Sequence, residues 1–223
     1  MKENPIIITP LTENQRRVYI DTCQVYEAFL LARDGMQSFK GGMHWKKSKG
    51  REYLFRSVDR KGNGRSLGPR SKETEKVLAS FRKGKQKARE KLAGLKKRLE
   101  EQARFCKAAM IARLPRVVTR ISAQLQGCGL LGSGLFLAGT NALYAYEAAA
   151  GVLLDPAILA TQDLDIVIDN RGAPSLGDDA QDGPRLVGLL AKADSSFSVM
   201  GKQRFRAVNK NGWSQVTSFR SWR

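Results

Sequence analysis

An α+β fold in two parts is what this sequence predicts: a basic, largely helical front over residues 1–112 and a smaller part over residues 113–223. Three observations carry that expectation. Apolar residues recur at three- and four-residue spacing over residues 12–34, and again from Lys72 to Ala112, which is the period of a helix. Residues 43–58 read as two short strands around a turn, a β-hairpin. Residues 135–169, LFLAGTNALYAYEAAAGVLLDPAILATQDLDIVID, read as a strand, a Gly-Thr turn, a helix, a loop and a second strand. A chain of 223 residues can bury a core in one large domain or two small ones.

In chain order, the first helix carries Val18, Tyr19, Cys23, Tyr26, Phe29 and Leu30 as a core-facing stripe, and Asp34-Gly35 ends it. The hairpin turns at Ser48-Lys49-Gly50. It interleaves Trp45, Tyr53 and Phe55 with Lys46, Lys47, Lys49, Arg51 and Arg56. Rings among cations suit a nucleic-acid surface, and they equally suit a hairpin that packs its aromatics on a neighbouring helix. Asp59 to Gly68 reads as a Gly-rich basic loop without the spacing of a phosphate loop. Ser71 is placed to cap the long helix, with Glu73 and Glu75 in its first turn. Along residues 82–107 that helix is strongly basic outside its apolar stripe, more so than a solvated helix needs. It is either an arm offered to a polyanion or a purely structural one. Pro115 breaks the helix, a short helix follows over residues 116–126, and Gly127 to Gly134 is a connector. Beyond Asp169, residues 170–184 read as a loop, 186–193 as a helix, and 197–200 and 204–208 as strands. Residues 213–223 show no clear period.

Charge narrows the function. Lys and Arg number 39 against 21 Asp and Glu, a formal +18, which points to a polyanionic partner, nucleic acid first. Cys23, Cys106 and Cys128 are too scattered for a zinc site or a disulfide frame and read as reduced thiols of a cytoplasmic protein. His44 is the only histidine, so a Ser-His-Asp triad and the common zinc patterns have no support. The opening residues lack the h-region and cleavage site of a signal peptide, and no uncharged apolar run is long enough to span a bilayer.

The second strand of the 135–169 stretch holds the candidate chemistry. Alternation along a strand puts Asp163 and Asp165 on one side and Leu164 and Ile166 on the other. Two neighbouring carboxylates repel, and a divalent cation is the economical way to offset that repulsion.

The strand, the Gly139-Thr140-Asn141-Ala142-Leu143 turn and helix, and the later Asp163-Leu164-Asp165 strand together resemble the nucleotidyltransferases related to DNA polymerase β. The wording GTNALYAYEAAAGV…ATQDLDIVID, with GREYLFRSVDRKGNGRSLGPRS upstream, is closer still to an uncharacterised bacterial branch of nucleotidyltransferases. The resemblance covers most of residues 40–208. The turn ahead of Asp-x-Asp is also similar to that of toxin-type nucleotidyltransferases.

The resemblance implies a core built on a small mixed β-sheet and transfer of a nucleoside monophosphate from an NTP to a hydroxyl. Asp163 and Asp165 would be catalytic and would bind Mg²⁺ or Mn²⁺, and Gly139, Thr140 and Asn141 would hold the triphosphate. Thr161 would orient a carboxylate. RNA, tRNA included, would be the acceptor, met by the basic helix 82–107 and the hairpin 43–58. The alternative is a nucleic-acid-binding protein with a degenerate or truncated transferase core. Two departures stand out. The gap from Gly139 to Asp163 is long for the family, and no Asp or Glu follows Asp194, so the third carboxylate is unassigned. A shortened C-terminus would explain that loss, and Asp169, Asp178, Asp179 or Asp182 would be the substitutes at hand.

Overall fold

The computed structural model describes residues 7–59, 62–168, 187–200 and 203–219, and the fold is α+β. The chain forms two compact units, one of Met1–Thr12 with Ala112–Arg223 and the other of Glu13–Ile111.

The Glu13–Ile111 unit is a helical hairpin with a small sheet. Helix α1 (Glu13–Gly35) packs antiparallel on helix α2 (Lys72–Ala108): Gln15 donates to the Ala109 carbonyl at 2.9 Å, and Thr22 meets Gln102 at 3.3 Å and Cys106 at 3.1 Å. The seam on α2 runs through Leu78, Phe81, Leu92, Leu95, Leu99 and Cys106, the alternating three-four spacing of a coiled coil. On α1 the seam is less apolar than the sequence suggested. It uses Gln15, Val18, Thr22, Val25, Phe29 and Ala32, while Tyr19 lies off it and is exposed. Polar Gln15 and Thr22 are tolerated there because each finds a partner across the seam. Ser71 and Thr74 form a reciprocal capping box at the start of α2.

Between the helices, β2 (Gly42–Ser48), β3 (Arg51–Ser57) and β4 (Gly64–Pro69) form an antiparallel sheet in that order. The expected hairpin is present, with Lys49 and Gly50 both at positive φ, as a tight two-residue turn requires. Strand β4 corrects the loop reading of residues 59–68. Its glycines looked like loop signals, yet a β-carbon at Gly64 would overlap the Arg56 carbonyl, so glycine there is what lets two strands meet.

The other unit is built on a mixed sheet ordered β5-β7-β10-β9-β8. These strands are β5 (Leu135–Ala138), β7 (Asp163–Ile168), β8 (Ser198–Met200), β9 (Gln203–Val208) and β10 (Ser214–Phe219). Strand β10 runs parallel to β7, and the remaining neighbours are antiparallel. Helix α3 (Arg116–Gly127), with Pro115 before it, buries Val118, Ile121 and Leu125 against Leu135, Leu164, Ile166, Leu190, Phe197 and Ala207. A short ribbon pairs β1 (Ile8–Pro10) with β6 (Val152–Leu154), which carries the first residues of the chain into this unit. Strand β10 has no counterpart in the sequence reading. Its SQVTSF is too polar to announce a central strand, and its partner β7 lies some fifty residues earlier in the chain.

Candidate active site

Strand β7 presents the two aspartates by simple alternation. Leu164 and Ile166 are 1% and 0% exposed in the core, whereas Asp163 is exposed and Asp165 half-buried. The antiparallel register of β5 on β7 sets Ala138 opposite Asp165, so the next residue, Gly139, arrives beside that carboxylate. Gly139 has φ +61°, and a β-carbon there would overlap the Asp165 carboxylate, with Cγ only 3.1 Å away. Helix α4 (Gly139–Ala150) starts at this point, and no side chain caps its first turn. A helix start without a side-chain cap is an arrangement that suits an anion. Thr140 sits half-buried in that first turn. The structure thus brings Gly139, Thr140 and Asp165 into one place, with Asp163 two residues along the strand.

Asn141 behaves differently from the expectation. Its side chain is 3% exposed, and its Nδ2 donates to the Asp163 carbonyl at 2.6 Å, which ties α4 to the start of β7. What Asn141 can offer a phosphate is its main-chain amide. Its Oδ1 is buried with no hydrogen-bond partner among the described residues. Thr161 also differs: its hydroxyl accepts from the Asp163 N–H at 3.1 Å, so it holds the strand's backbone and not a carboxylate.

Residues 116–215 match a protein-family model described as nucleotidyltransferase. That segment is nucleotidyltransferase-like. The match contains β5, α4, β7 and both aspartates, and it supports nucleotidyl transfer as the class of activity, with an NTP as donor. No curated protein and no solved structure matches the chain.

Within the nucleotidyltransferase-like segment, Glu147 is a buried acid. It accepts from Arg113 Nη1 at 2.7 Å and from the Leu154 amide, while Arg113 Nη2 donates to the Leu154 carbonyl at 2.9 Å. This pair clamps α4 to β6 and so fixes the helix whose N-terminus meets Asp165. A lone acid inside an Ala-rich helix, with a lone Arg just before Pro115, was the available signal. On the far side of β7, the parallel register pairs Asp163 with Ser214 and Asp165 with Val216, and β10 carries no acid. Among the described residues there is no group of three or more His, Cys, Asp and Glu side chains that could hold a metal. Asp169, Asp178, Asp179 and Asp182 lie outside the described residues. Asp194 is committed elsewhere: it accepts from the Ser196 backbone and hydroxyl and from Asn209 Nδ2 at 3.2 Å. Those Ser196 bonds hold its carboxyl below the ordinary range.

The basic surface belongs to the Glu13–Ile111 unit, which holds 26 Lys and Arg against 11 Asp and Glu, a net +15 of the chain's +18. Most cations of residues 82–107 are exposed, but Lys85 is not free. It donates to the Gly41 carbonyl, and burial lowers its pKa. Arg56 is likewise structural, lying over the Phe81 ring and donating to the Gly42 and Ser38 carbonyls. No helix among the described residues is long and apolar enough to cross a membrane.

Proposed function

We propose that this chain is a metal-dependent nucleotidyltransferase that moves a nucleoside monophosphate from an NTP to a hydroxyl of RNA, tRNA included. The observation that carries the reading is the meeting of the Gly139 turn with the Asp165 carboxylate inside the matched segment. The donor set is compatible with the metal. Mg²⁺ takes hard oxygens, keeps several waters and needs only one or two carboxylates beside substrate phosphates, which Asp163 and Asp165 can supply. Bound there, Mg²⁺ or Mn²⁺ neutralises charge on the triphosphate and on the departing pyrophosphate.

The chain's own groups do the rest. Gly139 lets the backbone come close to the phosphates, and Thr140 and the leading amides of α4 donate to them. Asn141 holds α4 against β7 so that these donors and the two aspartates keep one geometry. The acceptor oxygen forms a bond to the α-phosphorus as the α–β anhydride bond breaks, and pyrophosphate leaves. A β7 carboxylate takes the acceptor's proton. The exposed cations of residues 82–107 and 43–58 hold the RNA backbone.

A second reading rests on a specific observation: β10, the strand paired with β7 beside the aspartates, has no acid in its sequence. On that reading the chain binds nucleic acid without turnover. Incubation with Mg²⁺, each labelled NTP and total RNA separates the two. Label passes to RNA with wild type and not with the Asp163→Ala, Asp165→Ala double variant. Absence of transfer in wild type, or its survival in the double variant, would sink the enzyme reading. Salt-sensitive RNA binding without transfer would establish the second.

A further inference from the structure

The two faces of the β2–β3–β4 sheet are chemically unlike. Register and alternation put Met43, Trp45, Lys47, Glu52, Leu54 and Arg56 on one face. That face is occupied. Leu54 is 0% exposed, Arg56 lies over Phe81 of α2, and Arg70 lies over Trp45 while pairing with Glu52 at 2.7 Å and with Glu75 of α2 at 2.8 Å. The opposite face bears His44, Lys46, Ser48, Arg51, Tyr53 and Phe55. It holds a shallow depression of about 320 Å³ lined by Lys46, Ser48, Tyr53, Phe55 and Ser66. Tyr53 and Phe55 are half-buried in it, His44 is tilted against Phe55 with ring centroids 5.8 Å apart, and the Lys46 ammonium stands 5.3 Å from the Phe55 centroid. The only acid in the three strands, Glu52, is on the other face. This second face is cationic, acid-free and floored by two rings.

We propose that this face binds a single-stranded polynucleotide, bases stacking on Tyr53 and Phe55 and phosphates meeting Lys46, Arg51 and the turn residue Lys49. Every base has a π-face, so two rings give a platform that tolerates sequence, and flanking cations track the backbone. A duplex has its bases already stacked and cannot use the rings. Trp45, which the sequence grouped with Tyr53 and Phe55, is excluded because its face is filled. The proposal rests on the reading above only in taking RNA as the partner; it does not depend on the transfer reaction.

The test measures binding of the full chain to a labelled single-stranded RNA oligonucleotide and to the same oligonucleotide annealed to its complement. Wild type prefers the single strand. Tyr53→Leu, which keeps apolar bulk, weakens binding about 5- to 100-fold with the slope of log K against log salt unchanged. Lys46→Ala makes that slope shallower by about 0.7. Lys46→Glu, at an exposed position, also weakens binding and keeps the test decisive if Tyr53→Leu does not fold by circular dichroism. Wild-type affinity in folded Tyr53→Leu, or in Lys46→Glu where Tyr53→Leu does not fold, or a duplex bound as tightly as the single strand, overturns the proposal. Label transfer followed in parallel keeps the two readings apart. Transfer to RNA in wild type with no effect of Tyr53→Leu on affinity removes this proposal alone. Tyr53-dependent single-strand binding without transfer removes the enzyme reading alone.

Discussion

At the scale of single residues, Gly139 is the most constrained position of the candidate site. Two costs fall on any side chain there: the left-handed backbone at φ +61° and the overlap with Asp165. Gly139→Ala should lose about 1–3 kcal/mol of stability in urea titrations. Replacing Asp165 by Ala removes the overlap but not the backbone strain. In an Asp165→Ala background the same substitution should therefore cost less, near the lower end of that range. Equal losses in both backgrounds would mean that the carboxylate does not lean on residue 139. Asn141 shows the opposite economy. Polar and helix-borne, it looked like a ligand, yet it is spent on a backbone carbonyl, and only its burial reveals that.

At the scale of elements, two polar clusters hold the sheet unit's parts in register. One is the Arg113–Glu147 clamp between α4 and β6, in which Glu147 is 5% exposed. Arg113→Ala leaves a buried carboxylate with only the Leu154 amide as partner and should cost about 3–5 kcal/mol, read as a drop in the urea midpoint. Removing both partners should cost less than that single change, because no charge is then stranded. The other cluster is the turn from β9 to β10. Asn209 is 5% exposed and accepts through Oδ1 from the Asn211 and Trp213 amides, and its Nδ2 reaches Asp194. The Asp194 carboxyl is held below its ordinary 3.8, first by the Ser196 amide, then by the Ser196 hydroxyl, with Asn209 and Lys210 adding. The folded protein thus takes up this proton less readily than the unfolded chain. The stability it contributes is present above about pH 4 and is lost as pH falls through the folded value. Asp194→Asn should lose less urea stability than wild type as pH falls below about 4. A parallel fall in the two proteins would refute the assignment.

At the scale of the whole molecule, charge and chemistry are divided between the two units. The Glu13–Ile111 unit carries a net +15, and the paired aspartates lie in the other, whose core is formed by α3 and the mixed sheet. Net charge of that size raises the local concentration of a polyanion and speeds its capture, but it says nothing of what happens next. On the proposed reading, β7 and α4 supply that.

The sequence alone determined the local matters: both long helices, the β2–β3 turn, the alternation that turns Asp163 and Asp165 away from the core, and the basic character of the front. Each follows from residues within a few positions of one another, where period, capping and turn chemistry act. Tertiary structure decided the rest. That Gly139 must be glycine depends on the β5–β7 register, which sets Ala138 opposite Asp165 across a gap of more than twenty residues. That Glu147 is a structural acid depends on Arg113, and that β10 is a central strand depends on β7. Which rings of the 43–58 hairpin remain open depends on what covers each side of the sheet, since alternation separates Trp45 from Tyr53 and Phe55 but does not say which face α2 fills. Contacts between distant residues are selected by packing the whole chain, and no local pattern carries them.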